Sequence, residues 1–373
     1  MPDDKDIDWK SLLNEIERSK CVLIIGPDLL TRKGEPSFQQ QLKAYLEEKL
    51  ERKMPYYSED EFFSFETTRQ KRTTYNEIEE YFQEKKPETI HKKLAEIPFH
   101  LILNLSPDLR MWDAFKEKDF SHKFAFYKKG VNPEPVEPPT GSVPLLYNLL
   151  GAVEDKESKV GDIDSLIFSY DDLFKYLSSI LGSKDLPDEL RTALQEANHL
   201  VFLGIQYEKW YSKLLLWMLA IDKEKATTDK PIEASLRVNI AGELEHFYKE
   251  HFKEIKFVER EADAFVDQLY LKCQEAGILR VSGKEWKFDL LKQVSQAIAA
   301  NKPEEALQIL QEYISIYRKD LLSEVSLLQG RQSGLRTDVM SNVLSYQQAD
   351  IQQSKINKAI LSLAEKALQA SIS

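Results

Sequence analysis

The residues in this chain that could do chemistry sit at short breaks between apolar runs. Gly26-Pro27-Asp28 follows directly on Cys21-Val22-Leu23-Ile24-Ile25, and Gly34-Glu35-Pro36-Ser37-Phe38 comes soon after. A glycine turn between a buried strand and a helix is where nucleotide phosphates are held. The helix offers unpaired N–H groups, and the glycine permits close approach. The alternative is a tight turn with no ligand, and the carboxylate of Asp28 favours it. Ser106-Pro107-Asp108 ends a second run, Phe99 to Leu105. Asp108 could orient a ribose, but an Asp or Ser after a strand more often caps the next helix. Leu150-Gly151 and Gly204 end two further apolar runs. His246 and His251 flank Glu250, but their i, i+5 offset puts them on different helix faces, unlike the i, i+4 pair of a zinc helix. A solvated charged helix is expected there, and no metal. Cys21 and Cys273 make neither a disulfide framework nor a metal cluster.

The elements that must position these residues are strands alternating with helices. Apolar runs without polar alternation read as strands buried on both faces: Cys21–Ile25, Phe99–Leu105, Val143–Gly151 and His199–Gly204. Phe124–Tyr127, Asp164–Tyr170, Leu236–Ile240 and Ile255–Val258 read as further strands. Helical spacing separates them, for example Trp9, Leu12, Leu13 and Ile16, or Leu42, Tyr45, Leu46 and Leu50. This order predicts an α/β fold with an open parallel sheet and a ligand crevice at the carboxyl ends of its strands. Phe62-Phe63-Ser64-Phe65 is read either as a docking patch or as a lid packed on the sheet. After Gly277 strand patterns stop, and helices are predicted at Lys287–Ala300, Pro303–Arg318, Leu321–Leu335 and Tyr346–Ala370. A boundary in Leu279–Lys284 would divide an α/β domain, residues 1–278, from an all-α domain, residues 285–373.

Composition narrows the class. The 373 residues are 42% hydrophobic and 30% charged, globular values that allow two cored domains. A net charge of −11 argues against a nucleic-acid surface, where Lys and Arg must neutralise phosphates. No apolar run has the length of a membrane span. The acidic start, Met1 to Asp6, lacks the apolar core of a secretory leader, so a cytoplasmic protein is expected.

Taken together, the first two-thirds of the chain resemble the sirtuin-like family of bacterial defence proteins. The family's glycine loop and Gly-x-Pro-x-Phe segment correspond to Gly26-Pro27-Asp28 and Gly34-Glu35-Pro36-Ser37-Phe38. Its Thr-x-Asn-x-Asp strand end is similar to Asn104–Asp108, its Leu-His-Gly to Leu149-Leu150-Gly151, and its Leu-Phe-x-Gly to Val201–Gly204 with Lys209-Trp210 behind. The resemblance implies a Rossmann-like fold and NAD at Gly26, Pro27, Asp28, Pro36, Phe38, Ser106, Asp108, Gly151 and Gly204. It also implies that the chemistry is missing. Leu150 stands for the general-base His, Ser106 for the Asn that holds ribose and water, and Lys209 for an acid. Leucine cannot move a proton. Asp28 would repel a pyrophosphate, and Pro27 removes an N–H. No catalytic residue is therefore assigned.

The last ninety or so residues resemble the helical effector-associated domains of bacterial conflict systems, which are similar in role to death domains. Glu304–Leu310, Leu327–Leu335 and Ile351–Leu363 carry that resemblance. It implies a protein partner bearing a like module, or self-association, through Gln329, Gly330, Arg331 and Leu335. Arg331 is equally well read as an intramolecular salt bridge or cap. Three functions remain open at this point. One is a non-catalytic scaffold or adaptor in an antiviral system. The second is an active NAD hydrolase using His91, His100 or His122 as base. The third is a sensor that binds NAD or ADP-ribose without cleaving it.

Overall fold

The computed structural model describes residues 7–128, 136, 138–155, 157–181, 186–220, 232–235, 242–251, 255–281, 283–341 and 343–369. The chain divides into two compact units, Met1–Arg280 and Val281–Ser373.

The first unit runs α1 (Trp9–Glu17), β1 (Cys21–Ile25), α2 (Phe38–Lys49), β2 (Tyr56–Tyr57), β3 (Phe62–Phe63), α3 (Thr68–Gln83), α4 (Thr89–Glu96), β4 (Leu101–Asn104), α5 (Arg110–Glu117), β5 (Lys123–Phe126) and β6 (Leu145–Asn148). It continues with β7 (Ala152–Asp155), β8 (Val160–Asp162), α6 (Tyr170–Leu181), α7 (Asp188–Glu196), β9 (His199–Leu203), α8 (Trp210–Ala220), β10 (Ile232–Ser235), α9 (Gly242–His251), β11 (Ile255–Val258) and α10 (Ala262–Ala276). Seven strands form one sheet in the order β11-β10-β9-β1-β4-β6-β5, with every pair parallel. β2–β3 and β7–β8 are separate antiparallel hairpins.

The expected burial on both faces is realised by strict alternation within β1. Val22 and Ile24 join one apolar cluster with residues of α6, α7, α8 and α9. Cys21, Leu23 and Ile25 join the other, with residues of α1, α4, α5 and α10. All five are at most 3% exposed, and burying an aliphatic side chain this fully is worth roughly 1.5–3 kcal/mol. A third cluster gathers α2, α3 and the two hairpins into a small aromatic lobe, with Phe38, Tyr81, Phe82 and Phe168 at its centre.

Three expectations need correction or restriction. Asp164–Tyr170 is not a strand. It is a 3₁₀ turn over Ile163–Ser165 followed by an extended stretch that enters α6. Its apolar run is explained differently: Leu166 and Phe168 pack into the aromatic lobe while Ile167 packs under the sheet. The stretch touches β3 only through a Phe63–Ser169 bridge and a hydrogen bond from the Phe63 N–H to the Phe168 carbonyl. Of the two readings of Phe62–Phe65, the packed one fits: Phe62 is buried in the cluster under the sheet and Phe63 in the aromatic lobe. Leu236–Ile240 lies outside the described residues, and the strand beside β9 is Ile232–Ser235.

The second unit is a bundle of four helices: α11 (Gly283–Ala299), α12 (Pro303–Tyr317), α13 (Leu322–Met340) and α14 (Tyr346–Gln369). Its core includes Leu290, Val294, Leu310, Tyr313, Val325, Leu335, Ile360 and Leu363. Pro303 opens α12, where its missing N–H has no helical partner to lose. α13 runs on past Gly330 and Gly334, which face open space, so no packing is lost there.

Candidate functional site

The parallel pairing brings the predicted site residues to one edge. Register puts Leu203, Ile25, Asn104 and Asn148 side by side at the ends of β9, β1, β4 and β6. The loops beginning at Gly26, Leu105, Leu149 and Gly204 therefore leave the sheet together at its carboxyl edge.

Gly26 and Gly204 pack backbone against backbone. The Gly26 N–H donates to the Leu203 carbonyl at 2.7 Å, and the Asp28 N–H to the Gly204 carbonyl at 3.1 Å. A Cβ on Gly26 would lie 2.1 Å from the Gly204 oxygen. Gly204 has φ +67°, and a Cβ there would lie 2.3 Å from the Leu29 nitrogen. Both positions need glycine because the two loops touch.

Asp28 turns back toward α2. Its Oδ1 accepts the Phe38 N–H at 2.7 Å and the Thr31 hydroxyl at 3.2 Å. Ser37 caps the same helix by accepting the Gln40 N–H at 3.1 Å. A carboxylate thus stands against the first turn of α2, where the helix dipole favours negative charge. Phe38 itself points into the aromatic lobe and stacks on Phe82, while Pro36 is exposed.

Behind Asp28 lies a closed polar cluster that sequence reasoning missed. The Gln206 amide nitrogen reaches Gln39 Oε1 (3.0 Å), Asp28 Oδ2 (3.2 Å) and Glu61 Oε2 (3.2 Å). Glu61 also accepts the Ser37 hydroxyl and the Gln40 amide, both at 2.9 Å. Lys209 lies 3.7 Å from Glu61 and donates to the Glu59 carbonyl. Glu61, Gln206 and Lys209 are all below one-tenth exposed. Glu61 holds a left-handed backbone, φ +62°, uncommon for a residue with a side chain. The sequence signal was faint: the last of three acids between two aromatic pairs, and a Gln two residues after Gly204.

The second group forms around Asp108. Ser106 donates to Asp108 Oδ2 at 2.5 Å, the Arg110 guanidinium at 2.8 Å, and the Arg110 N–H reaches Oδ1 at 3.0 Å. Asp108 therefore covers the start of α5. Burial alone would raise its pKa, but the Arg110 charge and these hydrogen bonds hold the carboxyl well below the usual range. Asn148 donates to the Asp108 carbonyl at 3.0 Å and ties the loop to β6. Leu150 packs on the apolar cluster beneath, and Gly151 takes φ +84° with Ser165 close above it. Of the three candidate bases, His91 accepts the Glu88 N–H at 3.2 Å on α4. Burial, and then Arg110, lower its pKa to about 4. His100 precedes β4, at the opposite edge of the sheet from the crevice. His122 is tied to the Phe120 carbonyl at 2.9 Å.

A cavity of about 410 Å³ opens beside this edge, between Thr31-Arg32, the start of α4 at Glu88 and the start of α10 at Glu261. Arg32 lies 3.9 Å from Asp263 on its wall, and the Lys33 backbone N–H donates to Glu261 at 2.8 Å. Among the described residues, no group of His, Cys, Asp and Glu side chains is placed to hold a metal ion. No helix of the described residues is long and apolar enough to cross a membrane.

In the helical unit, Gly330 and Arg331 are exposed on α13, and Gln329 donates to Gln311 on α12 at 2.6 Å. Leu335 is 5% exposed and belongs to the core, so it can support a docking face only from beneath. Gln332, unremarked in the sequence, is buried and donates to Glu304 and Gln353, both at 3.2 Å, joining three helices. No curated protein matches the chain. Residues 289–367, which span most of the four helices, match the family model of effector-associated domain 11, so the C-terminal region carries an effector-associated domain.

Proposed function

We propose that the chain is a non-catalytic, sirtuin-like adaptor of a prokaryotic antiviral or conflict system. It works in the cytoplasm and recruits a protein partner, or a second copy, through its helical domain. The observation that carries this reading is the effector-associated match over residues 289–367, set beside a crevice in which the family's base position holds Leu150. Leu150 has no titratable group, Ser106 spends its hydroxyl on Asp108, and the Asp28 carboxylate occupies the start of α2. The sirtuin-like relationship rests on strand order and segment spacing. The expected absence of NAD cleavage rests on the residues at Pro27, Asp28, Ser106, Leu150 and Lys209.

A second reading has its own support. The cavity beside Arg32 has the volume of a small-molecule site. A nucleotide sensor that binds NAD or ADP-ribose without cleavage would use it. Partner recruitment is tested by light scattering and a pull-down with the full chain and its Arg331→Glu variant. Pairing that is lost in the variant supports the adaptor, pairing that persists removes Arg331 from the docking face, and no pairing by the unaltered chain removes the adaptor.

A further inference from the structure

One aromatic surface of the α/β unit borders the polar cluster of Glu61, Gln206 and Lys209: Tyr211 donates its hydroxyl to Gln206 Oε1 at 3.3 Å, and Lys209 donates to the Glu59 carbonyl. Six aromatic rings from three segments form a continuous chain of contacts. Tyr57 meets Tyr170 at 4.8 Å between ring centroids, and Tyr170 stacks on Phe174 at 5.5 Å. Phe62 joins Tyr170 to Tyr211 at 5.1 and 5.0 Å, and Tyr211 meets Trp210 at 6.0 Å. Phe62 and Tyr211 are buried and form the floor. Tyr57 (50% exposed), Phe174 (56%) and Trp210 (38%) stand in solvent. Three large exposed rings on one shared floor are not scattered surface residues, and such groups mark interaction sites.

The rim is acidic. Glu59 and Asp60 act electrostatically on Tyr170, which also donates its hydroxyl to Asp60, and Glu208 acts on Tyr211. Asp171 lies on α6 with Phe174 and pairs with Lys175, the cation on that helix face. Elsewhere this unit covers its aromatic faces with its own cations, as Lys43 does over Tyr56, Lys71 over Tyr75, Lys85 over Tyr81 and Lys116 over Trp112. Among the described residues, no such cation sits over Tyr57, Tyr170, Phe174 or Trp210.

We propose that this surface docks an arginine-bearing segment of a partner protein. Guanidinium planes would stack on the exposed rings, with Glu59, Asp60 and Glu208 receiving their N–H groups. The planar guanidinium fits both parts of the surface. It stacks flat on aromatic faces and forks onto carboxylates with two N–H groups, whereas a lysine ammonium can sit over a ring but has neither the plane nor the fork. The proposal is independent of the helical domain's role and gives the chain a second docking surface.

The test is fluorescence anisotropy of the full chain with three labelled peptides of alternating Arg-Gly, Lys-Gly and Glu-Gly, at about 0.15 M salt, where diffuse charge attraction is screened. The expected result is saturable binding of the arginine peptide, at least about tenfold tighter than the lysine peptide. Tyr57→Ala/Phe174→Ala, which leaves every charge in place, should weaken it about tenfold or more, and Glu208→Lys should do the same. Both variants alter exposed positions, and thermal unfolding verifies that they fold. Equal binding of the arginine and lysine peptides, or full binding by the ring-deleted variant, would mean net-charge attraction only and overturns the proposal. So does absence of arginine-peptide binding, or tighter binding of AMP than of the arginine peptide with loss in the ring-deleted variant, which would make the rings a base-stacking site.

Discussion

The Asp28 carboxylate accepts the backbone N–H of Phe38 at 2.7 Å, so the side chain that follows the glycine turn covers the helix the turn would otherwise offer to a ligand. The same carboxylate is within 3.2 Å of Gln206, which links it to Glu61. The turn, the helix start and the lobe above them are thereby held as one piece. A carboxylate accepting such bonds at a helix N-terminus stabilises through both charge and hydrogen bonding.

Asp28→Ala is expected to destabilise the α/β unit by about 1–3 kcal/mol, because it strips the Phe38 N–H and the Gln206 amide of an acceptor. Asp28→Asn should recover part of this loss. Urea unfolding of both variants measures it. Unchanged midpoints would show that solvent already satisfies these donors.

The loop-on-loop packing predicts unequal costs at two kinds of glycine. Gly26→Ala places a methyl 2.1 Å from the Gly204 oxygen and is expected to cost more than about 3 kcal/mol. Gly277→Ala meets nothing within 4 Å and bears only the strain of its φ of +70°, about 1 kcal/mol. Thermal melts of the two variants should differ clearly. Equal shifts would refute the packing role of Gly26.

Acid should weaken the α/β unit before its carboxylates protonate. Burial lowers the pKa values of His91, His100 and His199 to about 4 from 6.5. Between these values the unfolded chain binds more protons than the folded one, so stability rises with pH. It is complete above about pH 6.5, falls as pH drops toward 4 and levels off below for these groups. Asp108, held lower still, adds its loss beneath that window. Urea midpoints at pH 7.5, 6 and 5 should decline in order. A flat profile would show that these imidazoles titrate normally.

In the helical unit the two residue classes should separate. Leu335→Ala is expected to cost about 2–5 kcal/mol through a core cavity. Arg331→Ala, at an exposed position, should change stability by less than about 0.5 kcal/mol while weakening partner recruitment. Denaturation and pull-down on the same preparations distinguish them. Intact recruitment by the stable Arg331 variant would remove Arg331 from the docking face.

Much of the sheet was legible because fully buried strands leave a plain trace. Cys21–Ile25 and His199–Leu203 appear as uninterrupted apolar runs, and both are strands in the structure. The Leu166–Phe168 stretch misled because a short apolar run can be buried between two clusters without strand pairing. The β7–β8 hairpin was invisible, since Val160-Gly161-Asp162 has little apolar character. At the carboxyl edge, the glycines and Asp108 could be placed from strand ends alone. The Asp28–Gln206–Glu61 cluster could not, because its members come from three distant segments and meet only through the fold.

The central claim is that the chain keeps the crevice and lacks the reaction. The most direct measurement is incubation of the purified full chain with NAD, read by product analysis and thermal shift together. The account predicts no nicotinamide release above the buffer control. Nicotinamide release that is abolished by substituting His91, with fold and melting temperature intact, would contradict it and make the chain an enzyme.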